Sequence, residues 1–334
     1  MSEVAAILRL NLSGSRIDAD TETGQYRAAL ELAELADRGG FAVVNVEEHH
    51  DASIGWLPSP LILAALVIAR TRRVQVRACA LLVNLYDPIR LAEDIAILDV
   101  ASGGRFVFVM GQGYRPSEYH ALDRDWDTRA AAIEHVIETI LTAWRGEPFE
   151  YRGRRLHVSP RPHTRPHPPF FYGGMSAVAV RRAARYGLPY FPPQPMPELE
   201  ALYLAESARL GTPGRIERHE DLSLLFIDDD PERAWVELGP YFLREAAEYA
   251  LWAREGVERR YEAHVTTIDE LRRQRVYEIL TPGECLERAR ARQGIYKPIL
   301  HPLAGGIPVS RAQDCLRLFA DRVLAPLAPQ PKEG

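Results

Sequence analysis

The sequence predicts an α/β fold in which eight parallel strands, each followed by a helix, close into a (β/α)8 TIM barrel with insertions. Three observations carry that expectation. Short β-branched or apolar runs alternate with longer amphipathic segments along the chain, which is the grammar of βαβ units. Runs such as Phe106–Met110 are apolar at every position rather than at every second one, as strands covered on both faces by helices require. An open doubly wound sheet accommodates the same alternation, but no Gly-x-Gly-x-x-Gly follows the first apolar run, where a dinucleotide site of that fold needs it.

The elements follow in order. Val4–Leu10 reads as the first strand, a helix runs from about Gly24 to Arg38, and Phe41–Val46 is the second strand. Pro58–Ser59–Pro60 opens the next helix, with Ser59 able to cap and Pro60 suited to the first turn, and Val74–Val83 follows as a strand. The third helix spans about Pro88 to Ala101 and ends at Gly103–Gly104, where glycine tolerates the left-handed conformation that closes helices. Gly111–Gln112–Gly113 terminates the fourth strand, and a helix from about Thr128 to Trp144 sets Ala131, Ile137, Ile140, Leu141 and Trp144 along one stripe.

Phe149–Val158 reads as a small excursion, and the proline-rich stretch Pro160–Pro169 returns the chain to a fifth strand, Phe170–Tyr172. Gly173–Gly174–Met175–Ser176 opens a helix through Tyr186, and Leu188–Phe191 is a short sixth strand. Helix Glu198–Leu210, strand Leu222–Ile227, helix Pro231–Arg254, strand Ile299–Leu303 and helix Arg311–Leu324 complete eight units. One domain over 1–327 results, with insertions at about 113–126 and 149–169, and a flexible tail at 328–334. The stretch 254–274 is charged and poorly periodic, which suits a mobile segment over a site.

Composition narrows the function. With 41 basic against 46 acidic residues the net charge is −5, and no long block of like charge occurs, so nucleic acid is not an expected partner. The longest apolar run, Leu61–Ala69, closes at Arg70 and is shorter than the roughly 20 residues that a membrane span takes. Cys79, Cys285 and Cys315 are odd in number and form no CxxC pair, which points to a reducing cytoplasm rather than a disulfide scaffold.

In a barrel the chemistry sits where strands end. The second strand ends in Glu47–Glu48–His49–His50–Asp51, five ionisable groups in a row. A histidine there can act as acid or base near neutral pH, with a neighbouring glutamate fixing its tautomer; the alternative is a solvated loop whose charges merely pair. A hydrolase using Glu47 and Glu48 as an acid pair fares poorly, because adjacent strand residues point to opposite faces. No His/Cys/Asp/Glu spacing matches a metal motif such as HExxH. Gly111–Gln112–Gly113 and Gly173–Gly174–Met175–Ser176 either let backbone N–H groups approach an anion or simply make tight turns. Cys79–Ala80–Leu81–Leu82 offers small residues against which a flat ring can lie, or is plain core.

Five segments in order resemble the luciferase-like, flavin-dependent monooxygenases, nearly end to end. They are VEEHH at 46–50, PSPLILAALVIARTRRVQVRACALLV at 58–83, DPIRLAEDIAILDVASGGRFVFVMGQGYRPSEY at 87–119, YGGMSAVAVRRAARYGLP at 172–189 and LAGGIPVSRAQDCLRLFADRVLAPL at 303–327. The resemblance implies a (β/α)8 barrel, His49 as the catalytic acid–base group with Glu48 as its electrostatic partner, and a non-prolyl cis peptide at Cys79–Ala80 against the flavin ring. It further implies phosphate contacts from Gly174, Met175 and Ser176 and from Gln112 and Gly113. The family has an arginine where Gln112 stands and a threonine where Ala179 stands, and Leu280 replaces a glycine before Thr281–Pro282.

By the same resemblance, a separate flavin reductase delivers reduced FMN, which reacts with O2 to a C4a-peroxyflavin that oxygenates a small organic substrate. The residues 254–274 would form a lid, and two copies would pair as a homodimer through early helices. Two alternatives stay open. One keeps the fold but transfers hydride with a deazaflavin, coenzyme F420. The other is a non-catalytic flavin-binding partner subunit, against which the intact Glu48–His49–His50 cluster speaks.

Overall fold

The computed structural model describes residues 4–17, 19–218, 223–254 and 265–327. The first half runs β1 (Ile7–Leu10), α1 (Ala19–Gly39), β2 (Val43–Val46), α2 (Pro60–Arg70), β3 (Gln75–Leu82), α3 (Pro88–Ser102), β4 (Phe106–Gly111), α4 (Pro116–Ala121) and α5 (Arg129–Ala143). A hairpin of β5 (Phe149–Tyr151) and β6 (Arg154–Leu156) stands apart from the main sheet, turning at Arg152 and Gly153, both at positive φ. Then come β7 (Phe170–Gly173), α6 (Ala177–Arg185), β8 (Tyr190–Phe191), α7 (Pro197–Leu210), β9 (Leu224–Ile227) and α8 (Pro231–Ala253). α9 (Ile268–Gln274), β10 (Tyr277–Leu280), α10 (Pro282–Ala291), β11 (Ile299–Leu300) and α11 (Val309–Phe319) complete the chain.

The strands form one parallel sheet in the order β10-β9-β11-β1-β2-β3-β4-β7-β8. No ladder joins β8 to β10 among the described residues, yet the sheet curls round one interior. Arg9, Asn45, Cys79, Val109, Gly173, Phe191, Leu224 and Ile299, from eight different strands, all line a single cavity. This is the expected α/β barrel. Its strands are buried on both faces, as the uninterrupted apolar runs require. Phe108 stacks on Phe170 across β4 and β7 at 4.9 Å, closing the wall between them.

Several expectations need correction. Nine strands occupy the sheet rather than eight, because Tyr277–Leu280 pairs with β9 in register from Tyr277↔Leu224 to Leu280↔Ile227. Glu278 interrupts its apolar pattern, and that carboxylate is tied to Arg275 and Arg288. Pro60 does open α2, but the Ser59 side chain makes no capping bond. α1 begins at Ala19, before the first apolar stripe, with Asp20 and Glu22 in its first turn. The last helix leaves α geometry after Phe319 for a π turn over Ala320–Leu324.

The lid expected over 254–274 falls for residues 255–264 outside the described residues. Beyond them α9 is an ordered helix, held by a capping box between Thr267 and Glu270 and by the buried Leu271. The tail at 328–334 also lies outside the described residues.

Candidate active site

The sheet register sets the floor of the site. Arg9 of β1 pairs with Asn45 of β2, and Asn45 pairs with Arg77 of β3, so three polar side chains share one layer of the barrel interior. Above this layer lies a cavity of about 450 Å³ at the carboxyl ends of the strands. All nine residues singled out in the sequence line it: Glu48, His49, Cys79, Ala80, Gln112, Gly113, Gly174, Met175 and Ser176. They arrive from β2, β3, β4 and β7, which is how a barrel gathers distant residues.

The partners of His49 differ from the expectation. Its Nδ1 lies 2.9 Å from Glu118 Oε1 on α4, not on Glu48. A carboxylate only accepts, so Nδ1–H donates and Nε2 is left for a bound molecule. Glu118 Oε1 also takes the His50 backbone N–H at 3.1 Å and Arg115 Nη1 at 3.4 Å. Burial pushes the Glu118 carboxyl up, but the bond and charge of His49, the His50 N–H and Arg115 more than offset it and hold the group below the usual carboxylate range.

Glu48 is instead a tie between strand ends. Its carboxylate accepts from Tyr86 Oη at 2.7 Å, from the Leu82 backbone N–H at 2.7 Å and from His50 Nε2 at 3.1 Å. Glu47 takes Arg9 through two bonds, Nε to Oε1 at 2.5 Å and Nη2 to Oε2 at 2.8 Å. Both glutamates reach the cavity, because β2 ends at Val46 and the alternation of a strand no longer governs them.

An aromatic box encloses His49. Trp252 lies 4.5 Å from its ring, with Trp56, Tyr114 and Tyr249 edge-on at 5.6, 5.7 and 6.3 Å. Arg115 stacks over Trp252 at 4.4 Å. His49 as a whole is 9% exposed.

At the β3 wall the Cys79–Ala80 peptide is cis, and the register with β4 shifts between Cys79 and Leu81. Burial pushes the Cys79 thiol up to about 11, against the opposing charge of Arg77, so it stays protonated. Gly111 packs so closely here that a Cβ would meet that of Ala80 at 2.9 Å.

The opposite end suits an anion. Ser176 caps α6 by accepting the Ala179 N–H at 3.2 Å, and a Cβ on Gly174 would meet Ala179 Cβ at 2.6 Å, so the backbone runs bare along the cavity. Gly113 adopts φ 83° against the ring of Tyr119, whose hydroxyl donates to the Gln112 carbonyl. Arg129, at the start of α5 and stacked 3.9 Å over Trp126, faces the same cavity. Sequence reasoning missed Arg129, Glu118 and Arg9. Arg115–Pro116–Ser117–Glu118 is a helix-opening pattern that held a signal, whereas nothing local marks Arg9 or Arg129. Among the described residues no group of three His, Cys, Asp or Glu side chains is arranged to hold a metal ion.

The sequence matches the family described as luciferase-like monooxygenase over residues 11–296. The chain belongs to that family. A 4-hydroxyprotoasukamycin monooxygenase of Streptomyces nodosus subsp. asukaensis is 34% identical over 168 residues, covering 47% of this chain and 44% of its own. The oxygenase component of a flavin-dependent trigonelline monooxygenase from Acinetobacter baylyi is 27% identical over 161 residues, 46% of this chain and 44% of its own. The chain thus spans about half the length of the curated relatives it matches.

Among solved structures, the monooxygenase RslO1 of Streptomyces bottropensis shares the fold with a TM-score of 0.73 at 23% identity, over 98% of this luciferase-like chain and 100% of its own. An F420-dependent secondary alcohol dehydrogenase shares it with a TM-score of 0.67 at 15% identity, over 97% and 99%.

Proposed function

We propose that this chain is the oxygenase component of a two-component system. It takes reduced FMN from a separate flavin reductase and, with O2, oxygenates a small organic substrate. The observation that carries this reading is the single cavity in which His49, the Cys79–Ala80 bulge and the two glycine turns converge. The lining fits a flavin: small residues at 79–80 and 111 leave a flat wall for a ring, and the α6 N-terminus with Ser176, Gly174 and Arg129 offers donors for a phosphate.

Reduced flavin, when bound, supplies the electrons that activate oxygen. The chain's own residues do the rest. His49 Nε2 holds or moves a proton at the cavity edge, Glu118 orients the ring, and the aromatic box keeps water away. Glu48, tied to Tyr86 and His50, fixes the loop that carries His49.

Anaerobic titration with reduced FMN, oxidised FMN and F420, followed by mixing with O2, tests the proposal. Binding of reduced FMN and flavin-dependent O2 uptake are expected. Binding of F420 alone, with no O2 uptake, would transfer the assignment to hydride transfer, the second reading, which the fold shared with the F420-dependent dehydrogenase favours. Binding without turnover under any reductase tried would favour the non-catalytic subunit.

A second copy of the chain is the proposed oligomeric partner. α2 exposes Ile62 (65%), Ala65, Leu66 (48%) and Ala69, and the adjoining α3 exposes Ile97 (51%) and Val100 (47%), an apolar face unusual for a lone molecule. Sedimentation should give a dimer, and Leu66→Glu a monomer. Among the described residues no helix is long and apolar enough to cross a membrane. A cytoplasmic, membrane-free setting is part of the same proposal.

A further inference from the structure

The polar layer that floors the cavity holds two guanidinium groups, where barrel interiors ordinarily carry branched apolar side chains. Their charges are met differently. Arg9 is neutralised by Glu47, which it binds through two bonds, and by Glu245 at 3.5 Å. Arg77 is 3% exposed and donates from Nε to the neutral Asn45 Oδ1 at 2.8 Å, with no carboxylate in ion-pair reach among the described residues. Its Nη2 is buried with no hydrogen-bond partner among them, and the guanidinium lies 5.3 Å from the Phe191 ring centroid.

Glu217 acts on Arg77 through space but is itself paired with Lys297 at 2.5 Å. Burial pushes the Arg77 pKa down, yet a guanidinium stays charged. A buried charge with no carboxylate in ion-pair reach is costly, so an anion bound in the adjoining cavity would stabilise it. Asn45, Cys79 and Phe191, which surround Arg77, all line the cavity. The carboxylates of that cavity are already engaged, Glu47 by Arg9 and Glu48 by three donors.

We propose that Arg77 is a positioning residue whose charge, in the polar layer of the floor, makes the cavity prefer reduced, anionic flavin over oxidised flavin. This rests on the reading of the cavity as a flavin site. The oxidised ring is neutral, whereas two electrons and one proton convert it to a monoanion. In a low-dielectric interior an unmet cation favours that anion beyond contact distance. A protein that receives its flavin already reduced has use for such a preference.

The test compares dissociation constants for oxidised FMN and for FMN reduced anaerobically with dithionite, in the full-length protein and its variants. The wild type is expected to bind the reduced form more tightly. Arg77→Met should lower the oxidised-to-reduced ratio of dissociation constants about tenfold, equivalent to about 30 mV for a two-electron couple. Arg77→Lys should retain most of the ratio. Asn45→Asp, which sets a counter-charge beside the guanidinium, should lower it too, and carries the test if Arg77→Met does not fold. A merely structural role would weaken both forms alike. A ratio unchanged in Arg77→Met and Asn45→Asp overturns this inference alone, whereas a wild type that binds neither form overturns the flavin reading itself.

Discussion

His49 and His301 each set one ring nitrogen against a buried glutamate, at 2.9 Å from Glu118 and 2.8 Å from Glu245. The surroundings make the two pairs behave differently. Glu245 is fully enclosed and accepts from His301 Nε2, Tyr277 Oη, Asn11 Nδ2 and Ser13 Oγ, with Arg9 at 3.5 Å. It thereby joins α8 to the ends of β1, β10 and β11. Burial pushes its carboxyl up, but His301, Arg9 and Ser13 far outweigh that and hold it well below the usual range.

Glu118 is equally buried but less completely satisfied. Its Oε2 has no hydrogen-bond partner among the described residues, and the histidine it orients faces the cavity. The lesson is that one side-chain pairing serves two purposes. Saturated with donors it fastens strands together, and left partly open beside a cavity it keeps a ring nitrogen in reserve.

The largest expected effect breaks the closed pair. Glu245→Ala strands several buried donors and removes one of two carboxylates beside Arg9, and should lower the unfolding free energy by about 3–5 kcal/mol in urea denaturation; a loss below about 1 kcal/mol would show the network to be incidental. His49→Ala addresses the open pair. It should depress turnover about 10²–10⁴-fold while flavin affinity stays nearly constant. Unchanged turnover removes His49 from the chemistry.

Glu118→Gln keeps the shape of the open pair but weakens a charge-assisted bond, so a turnover loss of about 10–100-fold is expected in steady-state assays. If the Glu118 variant instead loses stability as Glu245→Ala does, the contrast between the pairs fails. The smallest effect is on pH. Both glutamates have depressed folded values, so the stability they add is full above the unfolded carboxylate range and is lost as pH falls below about 4. Urea midpoints between neutral and acidic pH should drop in the wild type and drop less in Glu245→Gln, with Glu118→Gln between them.

Much of this is legible in the sequence alone. The strand ends at Glu47–Asp51, Gly111–Gly113 and Gly173–Ser176 announce themselves by composition, and all three reach one cavity. β10 was not readable, because its four residues follow a charged helix and contain Glu278, whose burial depends on Arg275 and Arg288. That Glu48 bonds Tyr86, Leu82 and His50 rather than His49 was not readable for a related reason. Adjacency in sequence made it the natural partner of His49, but consecutive side chains diverge, and the true partner comes from 69 residues away.

The order of strands and helices, the doubly covered sheet and the stretches that border the site follow from local periodicity and turn chemistry, which a sequence carries in full. Who pairs with whom does not. Arg9 meets Tyr249 across 240 residues, and His301 meets Glu245 across 56. Those meetings, and the placement of Arg77 with no carboxylate in ion-pair reach among the described residues, exist only because a curled sheet brings its inward side chains into shared layers, a consequence of curl and register that no stretch of sequence specifies alone.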